Sequence, residues 1–234
     1  MKYYFVVFIS YLIVSCSGAS SEATSQSKTL QSRKLPFIGH VDILEYKENG
    51  QLIKDTLYET ISDFDFLNQD SSLVSNATYQ GKICVAEFFF VSCPTICPIM
   101  NTQMTNLHHW LEQKKYLPYF QLLSFSIDPE NDSPSILNAY KKSYCDDCMN
   151  WDFLTGDENK THELGIESFK IFAGKDKEAA GGYAHSGAFS LVDKSKRVRG
   201  VYNITDSNGD LNKNEFDRLK KDIVKLMQYE YNVK

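Results

Sequence analysis

The chain has 234 residues, 42% of them hydrophobic and 13% aromatic, which suits one domain of ordinary size around a single apolar core. Its formal charge of -5 argues against a nucleic-acid partner, because phosphate binding needs clustered Lys and Arg. Six cysteines are the feature of the composition that asks for an explanation.

Lys2, an apolar run over residues 3–14 and small residues around Cys16 read as a signal-peptide core. At ~1.5 Å per residue the run falls well short of the ~30 Å of a bilayer core. Ile13-Val14-Ser15-Cys16 resembles the lipobox of bacterial lipoproteins, which implies a lipid on Cys16 as the membrane anchor. Residues 17–32 are rich in Ser, Thr and Ala and nearly devoid of large apolar side chains, as a flexible tether should be. The expected organisation is a leader at 1–15, the lipidated Cys16 and its tether at 16–35, and a globular head at 36–234. Such a chain would be held in the bacterial cell envelope, facing the periplasm.

Residues 39–46 (GHVDILEY) and 51–58 (QLIKDTLY) alternate polar and apolar around Asn49-Gly50 and predict a half-buried hairpin. Residues 83–91 are almost continuously apolar, which predicts a central strand covered on both faces. Cys84 within it reads as a buried, inert thiol. After Cys93-Pro94-Thr95-Ile96-Cys97-Pro98, the positions Met100, Met104, Leu107 and Leu111 recur at spacings of four, three and four. They predict an amphipathic helix with both methionines in the core. Residues 120–127 predict a second strand, and Asp132-Ser133-Pro134 an N-cap with proline in the first turn of a helix running through Tyr140. A short helix is expected at 161–172, an antiparallel hairpin at 187–192 and 198–202, and a closing helix marked by Phe216, Leu219, Ile223 and Leu226 or Met227. Residues 206–217 begin like a calcium loop, but Leu211 stands where that loop needs glycine and Asp217 replaces its final Glu, so the reading fails. The order βαβα, then ββα, predicts an α/β protein with a thioredoxin-like fold, a central mixed sheet flanked by helices, and an N-terminal β-hairpin extension.

Export permits disulfides, yet the five cysteines beyond Cys16 are an odd number. Cys93 and Cys97 should sit at a helix N-terminus, one turn apart on one face, where the helix dipole favours acidic thiols. A wide pair of this kind can close a disulfide or converge on a soft ion such as Cu(I) or Zn(II). His108 and His109 are about three helical turns further on, too far to complete that site. His185 precedes the strand expected beside the motif strand and is either a third ligand or a hydrogen-bonded loop histidine. No proline follows Pro134. The cis-proline that faces the cysteines of thioredoxin-fold oxidoreductases is therefore missing, which shifts the balance toward a Cys-Cys-His metal site. Cys145 and Cys148 have C-x-x-C spacing without a ligand set in the adjoining sequence, so a local disulfide is the expectation.

The segments Asn68-Gln69-Asp70, GKICVAEFFFVSCPTICPIM, SIDPENDSP, WDFLTGD and HSGAFSLVDKSKRVRGVY run in one order across the head. In this they resemble the Sco/SenC family of copper proteins that assist cytochrome c oxidase assembly. The resemblance implies copper, as Cu(I) or Cu(II), on Cys93, Cys97 and His185, and delivery to the copper-site subunit of the oxidase. It places Asp128 near the site, as a residue behind the ligands, a partner contact or simply part of a turn. The competing function is a thiol:disulfide oxidoreductase acting on the oxidase cysteines; in either case a thiol reductant protein is a conceivable partner. A peroxidase lacks its proline before Cys93.

Overall fold

The computed structural model of the chain describes residues 34–176 and 183–233, with Ala184 and His185 described by backbone alone. The expected leader, Cys16 and most of the tether lie outside the described residues. No helix among the described residues is long and apolar enough to cross a membrane.

The run ICVAEFF forms β5 (Ile83–Phe89), and all seven of its residues are buried. Side chains alternate across a strand, so an uninterrupted apolar run needs cover on both faces and neighbours on both edges. It has β6 (Phe120–Ser126) in parallel on one side and β10 (Ala188–Val192) antiparallel on the other. Beyond β6 lie the parallel β7 (Trp151–Thr155), then the antiparallel β3 (Asp65–Asn68) and β4 (Leu73–Ser75). Beyond β10 lies β11 (Val198–Asn203), completing a seven-stranded mixed sheet.

Helix α1 (Cys97–Gln113) buries Met100, Met104, Leu107 and Leu111 completely, so both methionines are core. Helix α2 (Pro134–Tyr144) is a turn longer than expected; Ser133 is its N-cap residue, but its side chain makes no cap hydrogen bond. Asp132 instead accepts from the Val91 N–H (3.1 Å) and the Ser126 hydroxyl (2.6 Å), tying the helix entrance to the cysteine loop. The helix expected at 161–172 starts earlier, as α3 (Glu158–Glu163), because Asp157 accepts from the Lys160 N–H. It continues as a π-helical turn (Leu164–Ser168) and stops before β8 (Ala173–Lys175), which pairs with β9 (Tyr183–His185). The closing helix is α4 (Lys213–Lys225), followed by a π-helical turn (Leu226–Glu230).

The expected hairpin forms as β1 (Val41–Glu48) and β2 (Gln51–Tyr58), turning through Asn49 and Gly50 with φ of 50° and 78°, as a tight hairpin turn requires. It is not half-buried. Ile43 is 65% and Leu52 58% exposed, because the two strands form a two-stranded sheet of their own, apart from the seven-stranded one.

Two polar clusters fasten the sheet's margins. Gln69 accepts from the Phe153 N–H (2.9 Å) and donates to Asp152, which also receives Tyr79 and Gln121. At the other margin the buried Arg199 holds Glu230 through two 2.6 Å contacts and Asp193 at 3.1 Å.

Candidate metal centre

The cysteine motif links the end of β5 to the start of α1. The Cys93 N–H donates to the Phe90 carbonyl (3.2 Å), closing a turn, and Pro98 sits in the first helical turn, where its missing N–H has no partner to lose. The helix starts at Cys97, so Cys93 precedes it. The expected common helix face is replaced by a loop that folds the two thiols against each other, close enough to hydrogen-bond.

Both thiols are buried, Cys97 completely. Burial drives the Cys97 thiol far above its ordinary value, and the adjacent Cys93 thiol raises it further; the Phe90 N–H opposes this weakly. The expectation of acidic thiols is thereby corrected for Cys97. Loss of solvation outweighs the favourable end of the helix dipole. Cys84 is a third buried thiol, pushed up to about 12 by burial against a lowering by the Lys82 charge, in keeping with an inert core residue. Beside the motif, Asn101 donates to the Cys97 carbonyl (2.9 Å) and to the Tyr140 hydroxyl (3.3 Å), fixing the first helical turn.

The antiparallel pairing of β10 with β5 puts the beginning of β10 at the Phe89 end of the motif strand. His185 ends β9, three residues before Ala188, with its backbone paired to Ala173. The residues around it touch the cysteine loop. The Tyr183 ring lies 5.3 Å from the Phe90 ring. A Cβ on Gly187 would sit 3.3 Å from Ile96 Cδ1 and overlap Thr205 Oγ1, an approach that only glycine permits. The fold therefore brings the His185 backbone to the end of the sheet that carries the two cysteines.

Asp128 is buried, accepts from the Asn131 side-chain Nδ2 at both carboxylate oxygens (3.0 and 2.9 Å) and lies 3.3 Å from the Tyr183 hydroxyl. That hydroxyl is also 3.1 Å from Glu158 Oε1. Asp128 thus serves its own turn and also faces the strand that carries His185.

One residue beside the site escaped the sequence reading. Glu87, in the middle of β5, is fully buried, and its carboxyl is pushed up to about 8 by burial, against a lowering by the 2.6 Å hydrogen bond from Ser124. Trp151 Nε1 donates to the same Ser124 oxygen (2.8 Å), and Glu87 Oε2 has no hydrogen-bond partner. The signal was present, as a single carboxylate in an otherwise apolar run. Far from this site, Cys145 and Cys148 are joined by a disulfide with a Cα–Cα distance of 5.6 Å. This is the local disulfide expected from the spacing; the ring nitrogens of His108 and His109, distant in sequence, lie within 4.8 Å of Cys148 Sγ and of each other.

Comparison with known proteins agrees with this architecture. Residues 54–217 match the family model described as SCO1/SenC. A SCO1 protein homolog of Bacillus subtilis (strain 168) is 37% identical over 155 residues, 66% of this chain and 79% of that protein. A SCO1/SenC family lipoprotein from Bacillus anthracis str. Ames superposes with a TM-score of 0.63 at 28% identity, covering 71% of this chain and 94% of that one. BsSco, described as a member of the Sco family of cytochrome c oxidase assembly proteins with a disulfide switch, gives 0.60 at 34% identity, covering 75% and 97%. The fold is the thioredoxin-like one of these proteins, with the additional hairpin β1–β2 at its front.

Proposed function

Because the chain belongs to the SCO1/SenC family, we propose that it is an extracytoplasmic copper chaperone that carries copper on Cys93, Cys97 and His185 to the binuclear copper centre of cytochrome c oxidase. The observation that carries this reading is the pair of buried, mutually contacting thiols beside the backbone of His185. Two soft sulfurs and one imidazole match the donor preference of copper, above all Cu(I).

Chemically, the residues do three things. The loop from Phe90 to Ile96 keeps the two sulfurs together, so one ion can engage both without reorganising the strand. The buried Cys97 holds its proton at neutral pH, so loading releases a proton from it and affinity rises with pH. A protonated, buried thiol is also a poor nucleophile, which weighs against disulfide exchange as the main activity. No cis peptide occurs among the described residues. Oxidation of the pair to a disulfide would remove both sulfur donors, so a thiol reductant protein would keep the site open. In this reading Cys16 carries the lipid anchor, residues 16–35 are the tether, and the head works at the periplasmic face of the envelope.

The test mixes the copper-loaded chain with the reduced, copper-free copper-site subunit of the oxidase. Appearance of the subunit's copper spectrum with loss of copper from the chain supports delivery. If the chain instead reduces an oxidised subunit as fast without copper as with it, and transfers none, the oxidoreductase reading replaces this one.

A further inference from the structure

Helix α1 carries a second group of metal-ligating side chains on its far half. His108 lies eleven residues beyond Cys97, about 16 Å along the helix at ~1.5 Å per residue, so it cannot share an ion with the cysteine motif. Its ring is buried, 4% exposed, and neither Nδ1 nor Nε2 has a hydrogen-bond partner. Buried imidazoles ordinarily satisfy at least one nitrogen. Burial is also the largest cause lowering its pKa, which leaves the ring neutral, the form that binds metals. His109, next on the helix and exposed, stands with its ring centroid 5.9 Å away. Between the two histidines and the loop after α2, ring nitrogens of both approach Cys148 Sγ within 4.8 Å. Cys148 and Cys145 are joined to each other, and Asp147 Oδ1 lies 3.4 Å from Cys145 Sγ, where it would accept from a thiol.

We propose that His108, His109 and Cys148, with Cys145 beside them, form a second, redox-gated site for a soft transition-metal ion. In the disulfide form Cys148 offers no thiolate, and the site has two imidazoles only. A dithiol reductant opens it: the S–S bond breaks, Cys145 and Cys148 each gain a proton, and the reductant's two thiols become its own disulfide, so two electrons and two protons move together. An ion then binds through the two imidazoles and the Cys148 sulfur, which releases its proton, a donor set suited to Cu(I), Zn(II) or Co(II). Exchange with a disulfide oxidant runs the step backwards: the Cys145–Cys148 bond reforms, the oxidant takes the two electrons and becomes a dithiol, and the ion, left with two imidazoles, is released. The site therefore holds metal only while thiols are reduced, the same condition the main pair requires.

The experiment uses the full chain carrying Cys93→Ser, Cys97→Ser and His185→Ala, which removes the main site's ligands. After phosphine reduction without oxygen it is titrated with Co(II), whose thiolate charge-transfer band reports sulfur ligation. One equivalent should bind when Cys145 and Cys148 are reduced, and none after reoxidation. Adding Cys148→Ser should abolish the band, and adding His109→Ala, at an exposed position that leaves packing intact, should weaken binding at least tenfold. His108→Gln should do the same, with the circular dichroism spectrum checking that the fold survives. Failure of the reduced chain to bind Co(II), equal binding before and after reduction, or affinity unchanged by His109→Ala would each overturn the proposal. The last of these would mean a bare dithiol that ignores the histidines.

Discussion

The Tyr183 hydroxyl stands 3.3 Å from Asp128 Oδ1 and 3.1 Å from Glu158 Oε1, so the strand that ends in His185 is tied by one phenol to the end of β6 and to α3. Removing that tie should loosen the position of His185 relative to the cysteine loop while leaving the ring's packing on Phe90. Tyr183→Phe is expected to weaken copper binding by roughly 3- to 10-fold, the equivalent of one ordinary net hydrogen bond, with little change in melting temperature. Competition against a chromophoric Cu(I) chelator measures it; unchanged affinity would mean that the tie has no bearing on the site.

Glu87 makes stability depend on pH in a defined direction. Its folded value of about 8 lies above the ordinary 4.5, so between those two the unfolded chain has released a proton that the folded chain keeps. Stability contributed by the protonated form is complete below about pH 4.5 and declines as pH rises through about 8. Denaturant unfolding of the copper-free chain should show a loss on the order of a few kcal/mol across that window, and Glu87→Gln should flatten the profile. Parallel profiles for parent and variant would contradict the assignment.

How much of this was legible in the sequence follows from the range of the interactions concerned. The core strand at 83–89 and the helix from Cys97 were legible because burial on both faces, or on one stripe, is written into neighbouring residues. The strand Trp151–Thr155 was not read: its five residues follow a Cys- and Asp-rich loop and gain strand character only by pairing with β6. The alternation in the N-terminal hairpin was real, but alternation does not reveal whether a second layer exists to cover the apolar side. Cys93 and Cys97 were visible as a pair. The state of Cys97 was not, since its protonation depends on desolvation by side chains distant in sequence. The meeting of His108 and His109 with Cys148 joins residues some forty positions apart, which local spacing cannot disclose.

Arg199 is buried with Asp193 and Glu230, and it also donates to the carbonyls of Leu35 and Pro36. Arg199→Ala would leave Glu230 without its cation and Asp193 with Arg197 alone, and should cost about 3–5 kcal/mol of stability. Since the cluster is remote from the cysteine loop, whatever folds should bind copper with parental affinity. Urea unfolding together with copper titration separates the two effects; a stability loss below about 1 kcal/mol would show that the cluster contributes only as much as a surface ion pair.

Cys84, held protonated by burial, should resist alkylation in the folded chain at pH 8 and react only on unfolding. Mass spectrometry after iodoacetamide treatment of the reduced protein checks this. Modification of Cys84 under native conditions would mean that the start of β5 opens from its neighbours β6 and β10.

The most direct test of the account is Cu(I) titration of the reduced full chain alongside Cys93→Ala, Cys97→Ala and His185→Ala, each carrying Cys145→Ser and Cys148→Ser so that the second cysteine pair contributes nothing. The account predicts one tightly bound copper in the parent background and affinity reduced by at least a hundredfold in each of the three variants. Equal affinity in the His185→Ala variant, or stoichiometric binding that survives loss of either Cys93 or Cys97, would contradict it.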